Sequence, residues 1–437
     1  MTSHRKSFIK TILAAFGATL ILGCLAVLSL YYLPPSFGLP MGLASLLLGL
    51  LTLGVVAGGL LCLHRDHRQW AGKPDLFYAL LHSPHGLQRA ALRPTRRFIR
   101  PLLGRALRPG DLVRVRSAAE ILRTLDPHGM LEKLPFMPEM LPCCGQTFRV
   151  HRRVDKINDM ITKTGLRRFD NTVTLRDLRC NGSAHGGCQA ECQILWKEAW
   201  LEQMEGSPTA HTSDIHRSSE ENAAADSTQP LAALLNTHTL LHSQDSTTDS
   251  DPGELRYQCQ ITELLRASHP IKRGDIRQDL RALLWGNVGL LAFIIALLTR
   301  LFNSVQSLRG GTDYPWRPEG QSEKTPREDL DLQAGEWVRV KDGRAIALTL
   351  NRNNRNRGMW FDREMLRFSG QTFKVRSRIE KLIDERNGRL LDMKTPCISL
   401  ENVTGTGEFL RFCPQNEYIF WREIWLERIQ QDRAIKP

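Results

Sequence analysis

Five cysteines of this chain fall between Cys143 and Cys192, and their side chains are the ones best suited to chemistry. The segment from Cys180 to Cys192 reads Cys-Asn-Gly-Ser-Ala-His-Gly-Gly-Cys-Gln-Ala-Glu-Cys, and its glycines allow a turn tight enough for several side chains to face one atom. Thiolate and imidazole groups are the ligands that zinc and iron–sulfur clusters use. The sequence therefore predicts a metal site, with its ligands drawn from Cys144, Cys180, His185, Cys188 and Cys192.

The identity of the metal stays open between two alternatives. The first is zinc bound by the four cysteines, with His185 either replacing one ligand or contacting a ligand from outside. The second is an iron–sulfur cluster on the same cysteines. Two further interpretations use no metal: a redox pair formed by Cys143 and Cys144, and plain burial of small apolar thiols. Four thiols beside one histidine favour a metal over packing alone, although their spacing matches no standard zinc finger.

The chain repeats itself at a constant offset of 225 residues, from residues 110–200 to residues 335–425. The most similar parts are a Glu-Met-Leu segment that begins at Glu139 and Glu364, and a Trp-Lys/Arg-Glu-x-Trp-Leu segment that begins at Trp196 and Trp421. The second copy differs at the predicted ligand positions: Ser369 for Cys144, Gly405 for Cys180, Leu410 for His185, Cys413 for Cys188 and Glu417 for Cys192. We therefore expect a metal in the first copy alone. Because Glu139 recurs as Glu364, this carboxylate is expected to serve structure rather than catalysis.

Apolar residues alternate along both copies, as at Val113 and Val115 and again at Val338 and Val340. A period of two is typical of half-buried strands. Several short strands separated by glycines indicate a small, strongly bent β-barrel in each copy.

Two long uncharged segments precede the repeats, at residues 11–33 and 39–63. Each is long enough to cross about 30 Å of hydrocarbon. Basic residues flank both segments in a chain of net charge +13, which predicts a multi-pass protein of the cell inner membrane whose modules face the cytoplasm. The alternative is a lipoprotein signal that ends at Cys24. The expected fold class is a membrane-anchored α+β protein in which two N-terminal transmembrane helices precede two homologous small β-barrel-like modules.

The composition along the chain predicts seven segments. They are a transmembrane hairpin (1–66), a basic juxtamembrane segment (67–107), the first module (108–202), a disordered linker (203–253), an apolar connecting helical segment (254–305), a second linker (306–330) and the second module (331–430). Residues 282–299 form a third uncharged run. Basic residues beyond it favour a helix in the membrane interface, or packed between the modules, over a third crossing.

The quoted motifs resemble a family of uncharacterised bacterial proteins. The likeness rests on Ala184-His-Gly-Gly-Cys-Gln-Ala190, on Arg355-Asn-Arg-Gly358, on the two tryptophan segments and on a Cys-Gln-Ile-Thr-Glu-Leu-Leu run that begins at Cys259. It covers about residues 110–202 and 255–430. The resemblance implies no activity, because none is established for the family.

These observations favour a membrane-tethered cytoplasmic binding or scaffold protein with one structural metal site in its first module, which implies the lipid bilayer and a protein as partners. The alternative is a zinc or iron–sulfur enzyme that acts on a metabolite or a lipid-linked substrate. No catalytic residue is assigned, because the chain has no Ser-His-Asp order, phosphate-binding glycine loop or dinucleotide motif. Nucleic acid is not an expected partner, since aromatic residues do not alternate with the basic ones.

Overall fold

The computed structural model describes residues 106–204, 221–242 and 255–429, apart from Arg273, Ile276, Arg309, Thr312 and residues 316–318. Its first β-rich unit contains nine strands and one short α-helix. The strands are β1 (Leu112–Val115), β2 (Met130–Leu131), β3 (Leu134–Pro135), β4 (Thr147–Arg153), β5 (Lys156–Asp159), β6 (Gly165–Arg168), β7 (Thr172–Arg179), β8 (Gln193–Lys197) and β9 (Leu201–Gln203), and the helix is α1 (Ala118–Leu122). Two 3₁₀ helices, Pro138–Cys143 and Glu198–Trp200, complete the unit.

A connecting region lies between the two β-rich units. It contains helix α2 (Glu221–Thr239), strands β10 (Leu240–His242), β11 (Leu255–Tyr257) and β12 (His269–Pro270), and helices α3 (Arg277–Leu284) and α4 (Leu290–Leu308). β10 pairs with β11, whereas β12 extends the small sheet of β5 and β6 in the first unit.

The second unit repeats most elements of the first at the offset of 225 residues. Its elements are β13 (Trp337–Val340), α5 (Gly343–Ala347), β14 (Arg355–Asn356), β15 (Met359–Trp360), β16 (Thr372–Ile383), β17 (Leu390–Thr404), β18 (Tyr418–Trp421) and β19 (Leu426–Arg428), with 3₁₀ helices Arg363–Phe368, Glu408–Leu410 and Glu423–Trp425. β16 and β17 form one long hairpin where the first unit has the separate strands β4, β5, β6 and β7.

Each unit is built on one antiparallel sheet of five strands, in the order β8-β7-β4-β1-β9 and β18-β17-β16-β13-β19. A flat sheet of this size would separate its edge strands by about 19 Å. The two edge strands, however, are joined by a single 3₁₀ turn, Glu198–Trp200 or Glu423–Trp425, which spans less than half of that distance. The sheet must therefore curl strongly around its core.

Tryptophans fill that core at equivalent places in the two units. Trp200 and Trp425 are fully buried, and each ring meets a phenylalanine edge-on, with centroids 5.2 Å and 5.4 Å apart. Each indole N–H also donates to a threonine hydroxyl, of Thr124 at 3.1 Å and of Thr349 at 3.0 Å. Because a buried indole N–H needs an acceptor, these hydrogen bonds fix the turn before the last strand to the segments that directly follow helices α1 and α5.

The predicted fold class, with its membrane anchor of two N-terminal helices, is wrong. Among the described residues, α4 alone is long and apolar enough to cross a membrane, and 22% of its apolar window is buried against the protein. The core helix of a soluble protein passes the same test of length and composition. The segments 11–33 and 39–63, which carried the prediction, lie outside the described residues. The described part of the chain is a β-rich fold.

The structure also differs from the predicted disordered linker at residues 221–242. Helix α2 occupies this part of the chain, and its Leu231 and Leu235 are buried in the core of the first unit. Leu231 and Leu235 are four residues apart and so lie on one helix face, which explains why a segment of polar composition packs there.

The pH dependence of stability provides a test of how deeply His151, a residue of β4, is packed in the first unit. Burial, together with the charges of Arg152, Arg176 and Arg179, lowers its pKa to about 4. An unfolded chain has a histidine pKa of about 6.5, so between these values the unfolded state binds a proton that the folded state does not. We expect the free energy of unfolding in urea to fall by about 1–2 kcal/mol from pH 7 to pH 5 on account of this group. His151→Gln should make the decrease smaller; an equal decrease in both proteins would contradict the assignment.

Candidate metal centre

The loop between β7 and β8 is folded by its own backbone. The N–H groups of His185 and Gly187 both donate to the carbonyl oxygen of Gly182, each at 3.0 Å, and the N–H of Cys188 donates to His185 at 3.2 Å. Gly182 has a φ of +69°, and a Cβ placed on it would lie 2.0 Å from the carbonyl oxygen of Cys188. Only glycine fits this position. The turn brings the two ends of the loop together, where the N–H of Cys180 donates to the oxygen of Cys192 at 2.9 Å.

The second unit has the same loop backbone without the same side chains. Leu410 and Phe412 donate to Gly407 at 3.0 Å and 2.8 Å, and Cys413 donates to Leu410 at 3.1 Å. Gly407 has a φ of +71°, and its Cβ would lie 2.1 Å from the oxygen of Cys413. These contacts match those of the first loop at the offset of 225. The loop conformation therefore does not require the cysteines and histidine that the first unit carries.

Three metal-ligating side chains of the first unit converge beside this loop. Ligand atoms of Glu139, Cys180 and His185 lie within 4.8 Å of one another. His185 Nδ1 is 2.7 Å from Glu139 Oε1 and 3.9 Å from Cys180 Sγ. The Glu139 and His185 side chains are only 2% and 1% exposed. The arrangement thus gathers a carboxylate, a thiol and an imidazole in a space that excludes water.

The hydrogen bonds of His185 determine how its ring is used. Nδ1 faces the Glu139 carboxylate, and Nε2 lies 3.3 Å from the carbonyl oxygen of Gln258. Both partners are hydrogen-bond acceptors, so each contact can be satisfied by a ring N–H of His185. In this arrangement each ring nitrogen of His185 already faces an oxygen atom of the protein, so neither is directed at an empty space where a metal would sit.

Glu139 combines a structural contact with a free oxygen. Its Oε1 accepts hydrogen bonds from His185 and from the N–H of Ala184, whereas its Oε2 is buried and has no hydrogen-bond partner among the described residues. Burial favours the neutral acid, but the hydrogen bond and charge of His185 outweigh it and lower the pKa of Glu139. Glu364, at the matching position of the second unit, also contacts its loop, but through another residue: its Oε1 accepts the Thr406 hydroxyl at 2.6 Å.

The thiols of Cys180 and Cys192 keep their protons unless a cation replaces them. Burial raises the pKa of Cys180 and of Cys192, and nearby thiols reinforce both shifts. Neighbouring negative charges add to the effect, from Glu139 at Cys180 and from Glu417 at Cys192. A bound metal ion reverses this balance, because it binds the thiolate form.

The predicted ligands are only partly brought together. Cys180 and His185 belong to the cluster, whereas Cys144, Cys188 and Cys192 are not among the described residues that meet within 4.8 Å. Cys144 follows the 3₁₀ helix Pro138–Cys143, and burial together with the neighbouring Cys143 raises its pKa to about 12. Glu139 joins the cluster although its recurrence as Glu364 had indicated a structural residue. Its position on the 3₁₀ helix beside the loop depends on tertiary contacts that no local pattern reveals.

The same loop carries the contacts to the second unit. Gln189 Oε1 accepts the N–H groups of Glu380 at 2.6 Å and Lys381 at 2.9 Å, and the N–H of Gln189 donates to the Lys381 oxygen at 3.0 Å. Glu191 of the same loop forms an ion pair with Arg376, whose Nε donates to Glu191 Oε2 at 2.7 Å. The candidate metal centre therefore lies directly behind the surface that joins the two units.

An aromatic contact extends this joint. The Tyr418 ring contacts two guanidinium groups, with Arg179 of the first unit 4.2 Å and Arg376 of the second unit 4.7 Å from its centroid. Such cation–π contacts contribute about 0.5–2 kcal/mol each.

Comparison of the chain with protein-family models, with curated proteins and with solved structures finds no match.

Gly182 and Gly187 offer a matched test of the loop. Gly182→Ala forces a Cβ into the Cys188 carbonyl, whereas Gly187, with a φ of +79°, has no atom within 4 Å of its Cβ position. We expect Gly187→Ala to lower the free energy of unfolding by about 1–2 kcal/mol through strain alone, and Gly182→Ala by about 3 kcal/mol or more. Urea unfolding of both variants measures the difference. Equal losses would show that the close approach at Gly182 has no energetic weight.

Proposed function

We propose that this protein is a two-module binding or scaffold protein in which one structural metal ion, bound beside the loop of residues 180–192, fixes the second module against the first. The supporting observation is that one short loop carries both the candidate ligands and the contacts to the other module. A scaffold that presents a surface composed of two modules to a protein partner needs such a fixed joint.

The two copies of the loop share the same backbone hydrogen bonds, so the loop of the first unit would fold without thiols. The thiols and the imidazole of this loop are therefore not needed for its fold and can bind an ion instead. They belong to the same loop as Gln189 and Glu191, which contact the second module. An ion that binds Cys180 and the neighbouring thiols would hold these two residues in position toward Lys381 and Arg376.

Burial favours this structural role over catalysis. The side chains of Glu139 and His185 are almost completely inaccessible and pair with each other, and a catalytic metal needs an open position for substrate or water. A structural ion, in contrast, is stabilised by enclosure. Zinc is the ion that thiolate ligands in a closed site suit best, with an iron–sulfur cluster as the alternative.

The energetic effect of such an ion acts through the folded state. Because the unfolded chain does not hold the ligands together, binding adds to the stability of the joint. At a zinc concentration 100-fold above the dissociation constant, this contribution is about 2.7 kcal/mol.

Metal analysis of the full chain tests the proposal. We expect about one equivalent of zinc in the purified protein and much less in Cys180→Ser. Cys397→Ser is the matched control, since Cys397 is a fully buried thiol of the second module, where its sulfur contacts Arg422. This variant should keep the ion. A visible absorption band in the purified protein would instead identify an iron–sulfur cluster.

Amide hydrogen exchange tests whether the ion stabilises the contact between the loop and the second module. The amides of Glu380 and Lys381 donate to Gln189, so they should exchange faster after chelation and in Cys180→Ser, but not in Cys397→Ser. A protein that contains no metal, or whose amides at 380–381 ignore its removal, would refute the proposal.

A further inference from the structure

We propose that Cys259, a residue of the connecting region, is a ligand of this metal ion, and that the complete ligand set is the four thiolates of Cys180, Cys188, Cys192 and Cys259, with His185 as a positioning residue. This inference rests on the proposed function and specifies its ligands. It also makes the ion a link between three segments: the loop, the connecting region and, through contacts of both, the second module.

The chain just before Cys259 packs on the loop. The carbonyl oxygen of Gln258 lies 3.3 Å from His185 Nε2, and the ring of Tyr257 meets the His185 ring edge-on with centroids 6.5 Å apart. A Cβ on Gly186 would lie 2.5 Å from the Tyr257 hydroxyl oxygen, so these segments are in direct contact. Cys259 is 8% exposed and belongs to the hydrophobic core against which Cys180 packs.

The backbone holds Cys259 in a defined place. Its N–H donates to the Thr262 hydroxyl oxygen at 3.0 Å, and its carbonyl oxygen accepts from that hydroxyl and from the N–H of Glu263. Two residues upstream, the N–H of Tyr257 donates to the Gly388 oxygen of the second module at 2.8 Å. The side chain of Cys259 therefore starts from a fixed turn that is tied to both modules.

The backbone brings the four cysteines to one region of the first unit. The N–H of Cys180 donates to the carbonyl oxygen of Cys192 at 2.9 Å, and Cys188 lies in the turn between them, where its N–H donates to the His185 oxygen at 3.2 Å. Cys180 also packs against the core cluster that contains Cys259. Thiolates gathered in this way are the ligands that a soft divalent ion prefers.

His185 does not fit the role of a ligand in this arrangement. Both of its ring nitrogens already face oxygen atoms, of Glu139 at 2.7 Å and of Gln258 at 3.3 Å, and its Nδ1 is also 3.9 Å from the Cys180 sulfur. A histidine in this place can orient Cys180 from outside the ligand sphere. With His185 excluded, and Cys144 held beside Cys143 on a different element, Cys259 is the thiol that completes a tetrahedron.

Binding requires the side chains to rearrange locally. Zinc–sulfur bonds of about 2.3 Å place the sulfurs of a tetrahedral site about 3.8 Å apart. Among the described residues, the ligand atoms of Glu139, Cys180 and His185 are the ones that lie within 4.8 Å of one another. The side chains of Cys188, Cys192 and Cys259 must therefore change rotamer to bring their sulfurs together when the ion binds.

Cobalt titration of the full chain under anaerobic conditions tests the assignment. The wild type should show a sulfur-to-cobalt charge-transfer band that saturates at one equivalent. Cys259→Ser should lose about a quarter of the band intensity, one thiolate in four, and bind cobalt at least about 10-fold more weakly. His185→Gln should keep the full band intensity even if its affinity falls.

Cys143→Ser is the matched control, because Cys143 has the same 8% exposure as Cys259 and lies outside the cluster. Its band and affinity should equal those of the wild type. A wild type without any cobalt band would refute the proposed function itself. A normal wild-type band that Cys259→Ser leaves unchanged would refute only the role of Cys259, and a band lost in His185→Gln would assign the ligand to histidine instead.

Thiol alkylation provides a second readout that needs no variant. In the wild type, zinc should slow the alkylation of Cys180, Cys188, Cys192 and Cys259 together, and leave the rate at Cys143 unchanged. Protection of the three loop cysteines without Cys259 would contradict the inference even if Cys259→Ser fails to fold.

Discussion

A tight backbone turn underlies the joint between the two halves of this protein. The carbonyl oxygen of Gly182 accepts N–H groups three and five residues later, and the carbonyl oxygen of Gly407 does the same in the second half. The turn leaves no room for a Cβ at either glycine. It fixes the loop before β8 independently of the side chains on it, and this independence allows one copy to carry thiols while the other carries Leu410, Phe412 and Glu417.

The two copies differ in the loop of the first and the long hairpin of the second, and these differing parts contact each other. In the first copy the loop projects Gln189 and Glu191 outward and keeps Cys180 and His185 inward, so one segment serves both the interior and the joint. In the second copy the hairpin of β16 and β17 is long enough to bring Lys381 to that loop. The two units thus use different extensions of one sheet to meet each other.

Much of the local structure follows from the sequence. The alternation at Val113 and Val115 predicts a strand, and the structure has β1 there. The constant offset of 225 residues reappears in the element bounds of both units. Local patterns did not reveal Glu139 and Cys259 as neighbours of the loop, because both come from elements distant in the chain. The position of Cys259 in a recognisable motif was the available signal, but the motif lies outside the repeat, where no second copy exists for comparison.

X-ray absorption at the zinc edge of the full-length protein identifies the atoms bound to the ion. We expect four sulfur atoms at about 2.3 Å, with no nitrogen or oxygen ligand near 2.0–2.1 Å. A shell that contains the His185 nitrogen or a Glu139 oxygen with two sulfurs or fewer would contradict this expectation, as would the absence of bound zinc.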